Sequence, residues 1–473
     1  MTIILTFAVN SILNFLLGLL VAKFLGPAEF GRYAIAAAIA TVVNTVGLDW
    51  LRLSATRFYS ERTRQEESAV RSTLETTFAI MALAIVLGAG VVILSGIDTG
   101  FTPGLIAATA AMCIAIGIFD FHTALARARF LERGYAHLVI VKNVALFILM
   151  VGSAMLFENA TIVALGFAAG SLIAIVVGRV ALRDPGLSPR EAQSALARSF
   201  LAYGLPLVGA NAIFQLMTIL NRGAVASHYG FAEAGYFSLA ADLGIRIFAV
   251  AGSAVDILLF QLAVRTDETH GREAANQQVS RNLVIILAFL APLAAGYFVL
   301  LPPFQSLFVP SDFQGPFARY SLVLIPALLS FSLLQFALNP IFQIEKRTRP
   351  VIIAAGFGLV VNLALMAILP ALYGPIGFAL AQMGGMLAAL GLTFMLALPL
   401  MTGRPPVKDV LVILGATALV AAAVWPMRSI DSALVALVVA PVVGGVIYGA
   451  LILGLDVAGL RAAVLQRLKT KLS

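Results

Sequence analysis

The sequence predicts an all-α integral membrane protein of about 14 transmembrane helices. Three observations carry this: 61% of the 473 residues are hydrophobic, only 11% are charged, and apolar runs of bilayer length follow one another along the whole chain. A mean hydropathy of +0.99 is far more than a soluble core requires. At about 20 residues per crossing, the length accommodates roughly 12 to 15 helices and leaves no room for a large soluble domain. A β-barrel is excluded, because its strands would alternate apolar and polar residues over about ten positions.

Apolar runs bounded by Gly, Pro or charge clusters place helices over 3–24, 33–53, 75–96, 103–124, 137–157, 160–181 and 201–221. The second half adds 235–262, 282–303, 318–343, 351–370, 375–399, 409–427 and 433–455. The opening MTIILTFAVNSILNFLLGLLVAKFL has neither a basic start nor a small-residue cleavage site, so it is expected to remain as the first helix. Most connections are short, so successive helices form antiparallel hairpins. The stretch RDPGLSPREAQSALARS carries two prolines and several charges after six helices, which marks a boundary between halves. The expected organisation is a six-helix bundle over 1–182, a cytoplasmic linker over 183–200, a second bundle over 201–400, and a helix pair with a basic tail over 401–473.

Lys and Arg resist translocation, so their positions set orientation. Most of the 31 basic residues follow even-numbered helices, as with Arg57, Arg62, Arg64 and Arg71, or Arg127, Arg129 and Arg133. The same pattern holds for Arg183, Arg190 and Arg198, for Lys346, Arg347 and Arg349, for Arg404 and Lys408, and for the tail residues Arg467, Lys469 and Lys471. The opposite connections hold little beyond Lys23, Arg32, Arg222, Arg319 and Arg428. Both termini are therefore expected in the cytoplasm, and the net charge of +8 reflects topology rather than a nucleic-acid partner.

Other chemistries drop out. The single Cys113, set in an apolar run, forms no intrachain disulfide or thiolate cluster, and His122, His137, His228 and His270 are not spaced for a shared metal. No cofactor is expected. Gly-rich stretches such as GFGLVV and GMLAALG lie inside apolar spans, where small residues allow close helix contact, and no Gly-Lys-Ser phosphate loop occurs. An ATPase engine is thereby excluded, and loops such as LFENAT and LYGPIG are too short to carry a glycosyltransferase or ligase site. The chain is expected not to be an enzyme.

An internal repeat gives the organisation its strongest support. LGPAEFGRY, Leu25 to Tyr33, stands between the first two helices, and YGFAEAGYF, Tyr229 to Phe237, stands between the seventh and eighth. Gly26, Ala28, Glu29 and Gly31 recur as Gly230, Ala232, Glu233 and Gly235, with Tyr33 matched by Phe237. The pattern predicts tight helix-to-helix turns in which glycine supplies permissive angles, Glu meets open amides at a helix start, and an aromatic anchors at the interface. Two pseudo-symmetric six-helix halves follow, an arrangement in which transporters place the substrate path between repeats.

The segment AKFLGPAEFGRYAIA, followed by a second helix ending VGLDWLRLSATRF, resembles the polysaccharide biosynthesis or O-antigen flippase (Wzx-like) family of the multidrug, oligosaccharidyl-lipid and polysaccharide exporter superfamily. NRGAVASHYGFAEAGYFSLA is similar to that family's pattern in the second half, with Asn221 where Asp is common. The resemblance implies a transporter in the bacterial inner membrane that moves a polyprenyl-diphosphate-linked oligosaccharide to the outer leaflet by alternating access through a cationic cavity. It also implies polysaccharide polymerase and assembly proteins as partners. The alternatives are export of a peptidoglycan lipid precursor or a drug, and a non-transporting scaffold of a polysaccharide assembly complex.

Ionisable residues inside spanning segments are costly unless they face a cavity or a partner, which makes them the candidate site residues. Substrate-contact candidates are Lys23, Asn10, Asn14, Asn221, Arg222, Asp242 and Arg246. Lys23 and Arg222 have snorkelling to the headgroups as their alternative, the i, i+4 pair Asp242 and Arg246 mutual neutralisation, and Asn10 and Asn14 helix-to-helix hydrogen bonding. Candidates for ion coupling or gating are Asp49, Arg52, Asp120, His122 and Asp256. Against these stand an interfacial pair of Asp49 with Arg52 and of Asp120 with Arg127. Lys142, inside the fifth helix, is expected to snorkel.

Overall fold

The structure, a computed structural model, describes residues 2–182, 188–345, 347–401 and 406–461, except the side chains of 2–12, 179–181 and 257. Arg183, Lys346, Arg404, Arg467, Lys469, Lys471 and the side chain of Asn10 fall outside the described residues. No strand occurs among those described.

The chain divides into two compact units, Met1–Ser238 and Leu239–Ser473. The first contains α1 (Thr2–Gly47), α2 (Asp49–Phe58), α3 (Glu61–Glu66), α4 (Ser68–Leu94), α5 (Pro103–Ala128), α6 (Glu132–Phe157), α7 (Ala160–Leu182) and α8 (Ser194–Tyr229). Helix α9 (Phe231–His270) leads into the second unit, which holds α10 (Arg272–Phe308), α11 (Pro316–Leu333), α12 (Asn339–Ile344), α13 (Arg349–Tyr373), α14 (Ile376–Ala397), α15 (Val407–Val424) and α16 (Ala433–Gly454). Thirteen helical segments among the described residues are long and apolar enough to cross a membrane. The first of them contains two helices, because Gly26 at φ 69°, ψ 172° breaks α1 into limbs over 2–25 and 27–47. Counting the two limbs separately gives fourteen helical segments among the described residues, in line with the expected number.

Helix ends follow ordinary capping chemistry. The Thr102 side chain accepts the Leu105 amide with Pro103 in the first turn of α5, and Ser432 does the same for Val435 at the start of α16. Two features differ from the sequence expectation. Helices α8 to α10 run 36, 40 and 37 residues, longer than the roughly 20 residues a bilayer needs, because polar ends such as RTDETH stay helical without being apolar. The second crossing, expected over 33–53, ends at Gly47, and α2 is a separate helix that buries Trp50, Leu51, Ser54 and Ala55 on one face.

The first unit has two apolar layers. Leu48, Leu51, Leu74, Phe121, Leu125 and Phe200 pack at the end carrying α2 and α3, and Ala36, Ala40, Leu105, Met112, Cys113 and Ala164 pack toward the repeat turn. In the second unit the C-terminal pair α15 and α16 packs on α10, with Val284, Ile413 and Ile452 in one layer and Val299, Val424 and Ala440 in another. Small residues set the closest approaches: a Cβ on Gly358 of α13 would lie 2.7 Å from the Gly385 carbonyl oxygen of α14. A single π-helical segment, Leu334–Leu338, separates α11 from α12.

Candidate functional site

The two copies of the repeated turn meet inside the first unit. Gly26 and Gly230 both have positive φ, 69° and 88°, so each turn uses glycine where the backbone needs it. One helical turn further on, Gly31 and Gly235 bring the backbones together. A Cβ on Gly31 would lie 1.9 Å from the Phe231 carbonyl oxygen, and one on Gly235 would lie 2.1 Å from the Pro27 carbonyl oxygen. Pro27 and Phe231 occupy equivalent places in the repeat, so the contact is reciprocal.

Charged and aromatic groups frame this junction. Arg32 pairs with Glu29 and stacks over the Phe231 ring at 4.8 Å, and Phe231 packs on Phe101 with centroids 5.9 Å apart. The other Glu29 oxygen accepts the Ala160 amide at 2.9 Å. Glu29 thus caps α7, which starts with open amide donors. The repeat pattern anticipated a carboxylate at a helix start, but not that the helix would be one 131 residues away in sequence.

The opposite end of the unit gathers partly buried charge. Arg52 pairs with Asp49 through two hydrogen bonds, Nε to one carboxylate oxygen and a terminal nitrogen to the other at 3.1 Å. Burial disfavours the charged guanidinium, but the Asp49 hydrogen bonds and the charges of Asp49 and Asp120 outweigh it, so Arg52 holds its proton above the ordinary arginine value. Asp120, on α5, lies within electrostatic reach of Lys142, Arg52, Asp49 and Arg127. Lys142 of α6 rests over the Phe119 ring, 3.9 Å from its centroid. Asp49, Arg52, Asp120 and Lys142 therefore form one cluster drawn from α2, α5 and α6.

His122 faces elsewhere, as its two-residue offset from Asp120 predicts. Its Nδ1 lies 2.7 Å from the Ile118 carbonyl oxygen, and its ring stands edge-on to Phe121. Beside it Arg71, with a side chain only 4% exposed, pairs with Glu75 at 2.8 Å and stacks over Tyr59 and Phe121. At the rim Glu61 binds Arg129 at 3.0 Å and Arg64 at 2.8 Å, and these hydrogen bonds hold its carboxyl below the usual glutamate range. The residue pattern marks Arg71 only as one of the basic residues that set orientation, and Lys142 only as a snorkelling cation. Burial beside aromatic rings depends on tertiary packing that spacing does not reveal.

The remaining candidates are distributed over α1, α8 and α9. Lys23 is exposed, with its amine 5.9 Å from the Phe24 centroid, and Asn14 is partly buried. Asn221 is fully buried and donates to the Met217 carbonyl at 2.8 Å, while Arg222 beside it is 4% exposed. Gln215 accepts the Thr45 hydroxyl at 2.9 Å, a bond that ties α8 to α1. In the second unit Asp242 and Arg246 sit one turn apart on α9, both partly buried, and Asp256 is partly buried further along it. Asn362 and Gln382, on α13 and α14, are buried there as well.

Comparisons with solved structures place this fold among known transporter structures. A flippase structure, the lipid II flippase MurJ in its inward closed conformation, superposes with a TM-score of 0.77 at 17% identity, covering 96% of this chain and 98% of that one. An inward-facing multidrug resistance MATE family transporter of the MOP superfamily superposes at 0.56, with 13% identity over 83% and 94% of the two chains. A MOP superfamily transporter from Pyrococcus furiosus Vc1 superposes at 0.53, with 14% identity over 84% and 92%. No curated protein matches the sequence. The family model for polysaccharide biosynthesis proteins matches residues 1–260, more than half the chain, and the protein belongs to that family.

Proposed function

We propose that this protein flips a polyprenyl-diphosphate-linked oligosaccharide from the cytoplasmic to the outer leaflet of the bacterial inner membrane, for surface polysaccharide assembly. Family membership over residues 1–260 carries the reading. Physics makes it coherent, since a diphosphate and several sugars do not cross hydrocarbon unaided and need a carrier with polar, cationic groups inside. Arg222, buried on α8 one helical turn and more before the second repeat turn, is such a group, and a guanidinium binds diphosphate oxygens in pairs. The accumulation of Arg and Lys at the α2–α3 end supports a cytoplasmic location for that end and an outer one for the repeat turns. The protein acts by alternating access and catalyses no covalent step. Polysaccharide polymerase and assembly proteins receive the glycan.

A second substrate, the lipid-linked peptidoglycan precursor, is favoured by the superposition on a lipid II flippase. Membrane vesicles separate the two. In a deletion strain the lipid-linked oligosaccharide is expected on the cytoplasmic side only, with rescue by the wild-type protein and not by well-expressed Arg222→Ala. Accumulation of the peptidoglycan precursor instead would select the second reading, and an unchanged distribution of both would defeat transport of either.

A further inference from the structure

The first unit contains a cavity of about 1050 Å³ lying among α1, α4, α5 and α8. Its walls are apolar. Along the second limb of α1 it extends from Ile35 to Gly47, twelve residues or about 18 Å at the helical rise. That is slightly more than half of the roughly 30 Å hydrocarbon thickness, the depth of one leaflet. The cavity exists because α4 is buried only over its first turns. Its last buried residue is Phe78, and Ala84, Gly88 and Val92 beyond it, which line the cavity, are exposed. Small residues widen the gap: a Cβ on Gly88 or Gly223, both in the wall, meets nothing within 4 Å.

One end of this slot is polar. Asp98, Thr99 and Ser227 border it beside Phe231, at the level of the repeat turns. Asp98 is exposed, with one carboxylate oxygen accepting the Gly100 amide at 2.9 Å. Arg32, stacked on Phe231, is already paired with Glu29. The mouth therefore carries one carboxylate beyond its internal ion pair, which suits an ammonium headgroup and disfavours a purely anionic one.

We propose that this slot holds an acyl chain of an amine-bearing glycerophospholipid, drawn from the leaflet at the repeat-turn face, with its ammonium group at Asp98. The length of one leaflet, the apolar wall and the charge of the mouth select this occupant over the much longer polyprenyl tail of a transported substrate. Every lining residue belongs to the first unit, so the lipid is a resident ligand beside the junction of the repeat turns. The open space at Gly88 and Gly223, where a Cβ meets nothing within 4 Å, gives the test its variants, since a large side chain at either wall position takes up room in the slot.

The purified protein is reconstituted in phosphatidylethanolamine and phosphatidylglycerol vesicles containing a trace of phosphatidylethanolamine with a photoreactive acyl chain. After illumination, adducts are mapped by peptide mass spectrometry for wild type, Gly88→Trp and Gly223→Phe, each first shown to be monodisperse and helical. Adducts over 81–92 and 106–113 are expected to fall about tenfold in both variants, equivalent to losing about 1.4 kcal/mol of binding, with labelling of the α16 face unchanged. A phosphatidylglycerol probe is expected to label the slot less. Equal labelling of the slot in wild type and both variants overturns the proposal, as does labelling of these peptides by a photoreactive polyprenyl diphosphate alone. The readout needs no transport, so it stands or falls separately from the flippase reading.

Discussion

Adding one methyl group at Gly235 tests the reciprocal turn contact directly. In Gly235→Ala the new Cβ would lie 2.1 Å from the Pro27 carbonyl oxygen. Ordinary contact starts near 3.4 Å, so the two turns must separate by more than an ångström, and backbone on both sides offers no flexible side chain to yield. Overpacking of this kind costs about 1–3 kcal/mol. For a carrier that exchanges between states with the turns joined and apart, that range shifts the balance by about 5- to 150-fold toward separation. Spin labels at Ala28→Cys and Ala232→Cys in a Cys113→Ala background report the turn-to-turn distance by pulsed electron resonance. The glycine protein is expected to show a short, narrow distribution, and Gly235→Ala a longer and broader one. Gly31→Ala, whose Cβ would lie 1.9 Å from the Phe231 carbonyl oxygen, is expected to do the same, and the double variant to be less than additive because the sites touch. Identical distributions in all four proteins would refute the close packing of the repeats.

Two further outcomes follow from the charge cluster and its rim. Asp120→Asn removes the carboxylate nearest in effect to Lys142 and is expected to destabilise the purified protein by about 1–3 kcal/mol, with Lys142→Met restoring part of the loss in the double variant. Thermal unfolding in detergent measures both, and strictly additive changes would show that the two groups do not interact. Glu61, held below its ordinary value by Arg129 and Arg64, contributes stability that is present above the unfolded glutamate value and lost as pH falls through the lowered folded value. Hydrogen exchange over 61–66, corrected for intrinsic rates, is therefore expected to quicken below about pH 4. The change is small, under about 1 kcal/mol, because Glu61 is half exposed, and Glu61→Gln is expected to abolish it.

The fold was largely legible because the bilayer forces it to be: apolar runs of fixed length, and basic residues on alternate connections, follow from the solvent rather than from packing. The repeated glycines were visible as well, since a positive φ at Gly26 and Gly230 leaves a residue-level signature. Their meeting was not, because a turn's sequence states its own backbone needs and says nothing of what it packs against. The same limit explains the site. The i, i+3 spacing of Asp49 and Arg52 announced their pair, and the two-residue offset of Asp120 and His122 announced that they diverge. That Asp120 lies within electrostatic reach of Lys142 depends on where α6 lies, which spacing does not reveal. Helix ends at 47 and 270 were missed because hydropathy marks where a segment stops being apolar, not where its backbone stops being helical, as the polar turn RTDETH within α9 shows.

Transport itself is tested most directly with the purified protein in proteoliposomes carrying a fluorescent polyprenyl-diphosphate oligosaccharide on one leaflet. Wild-type protein is expected to expose the glycan to a reductant on the opposite side, and Arg222→Ala to slow that exposure at equal incorporation. Exposure no faster than in protein-free vesicles, with or without an ion gradient, would contradict the account.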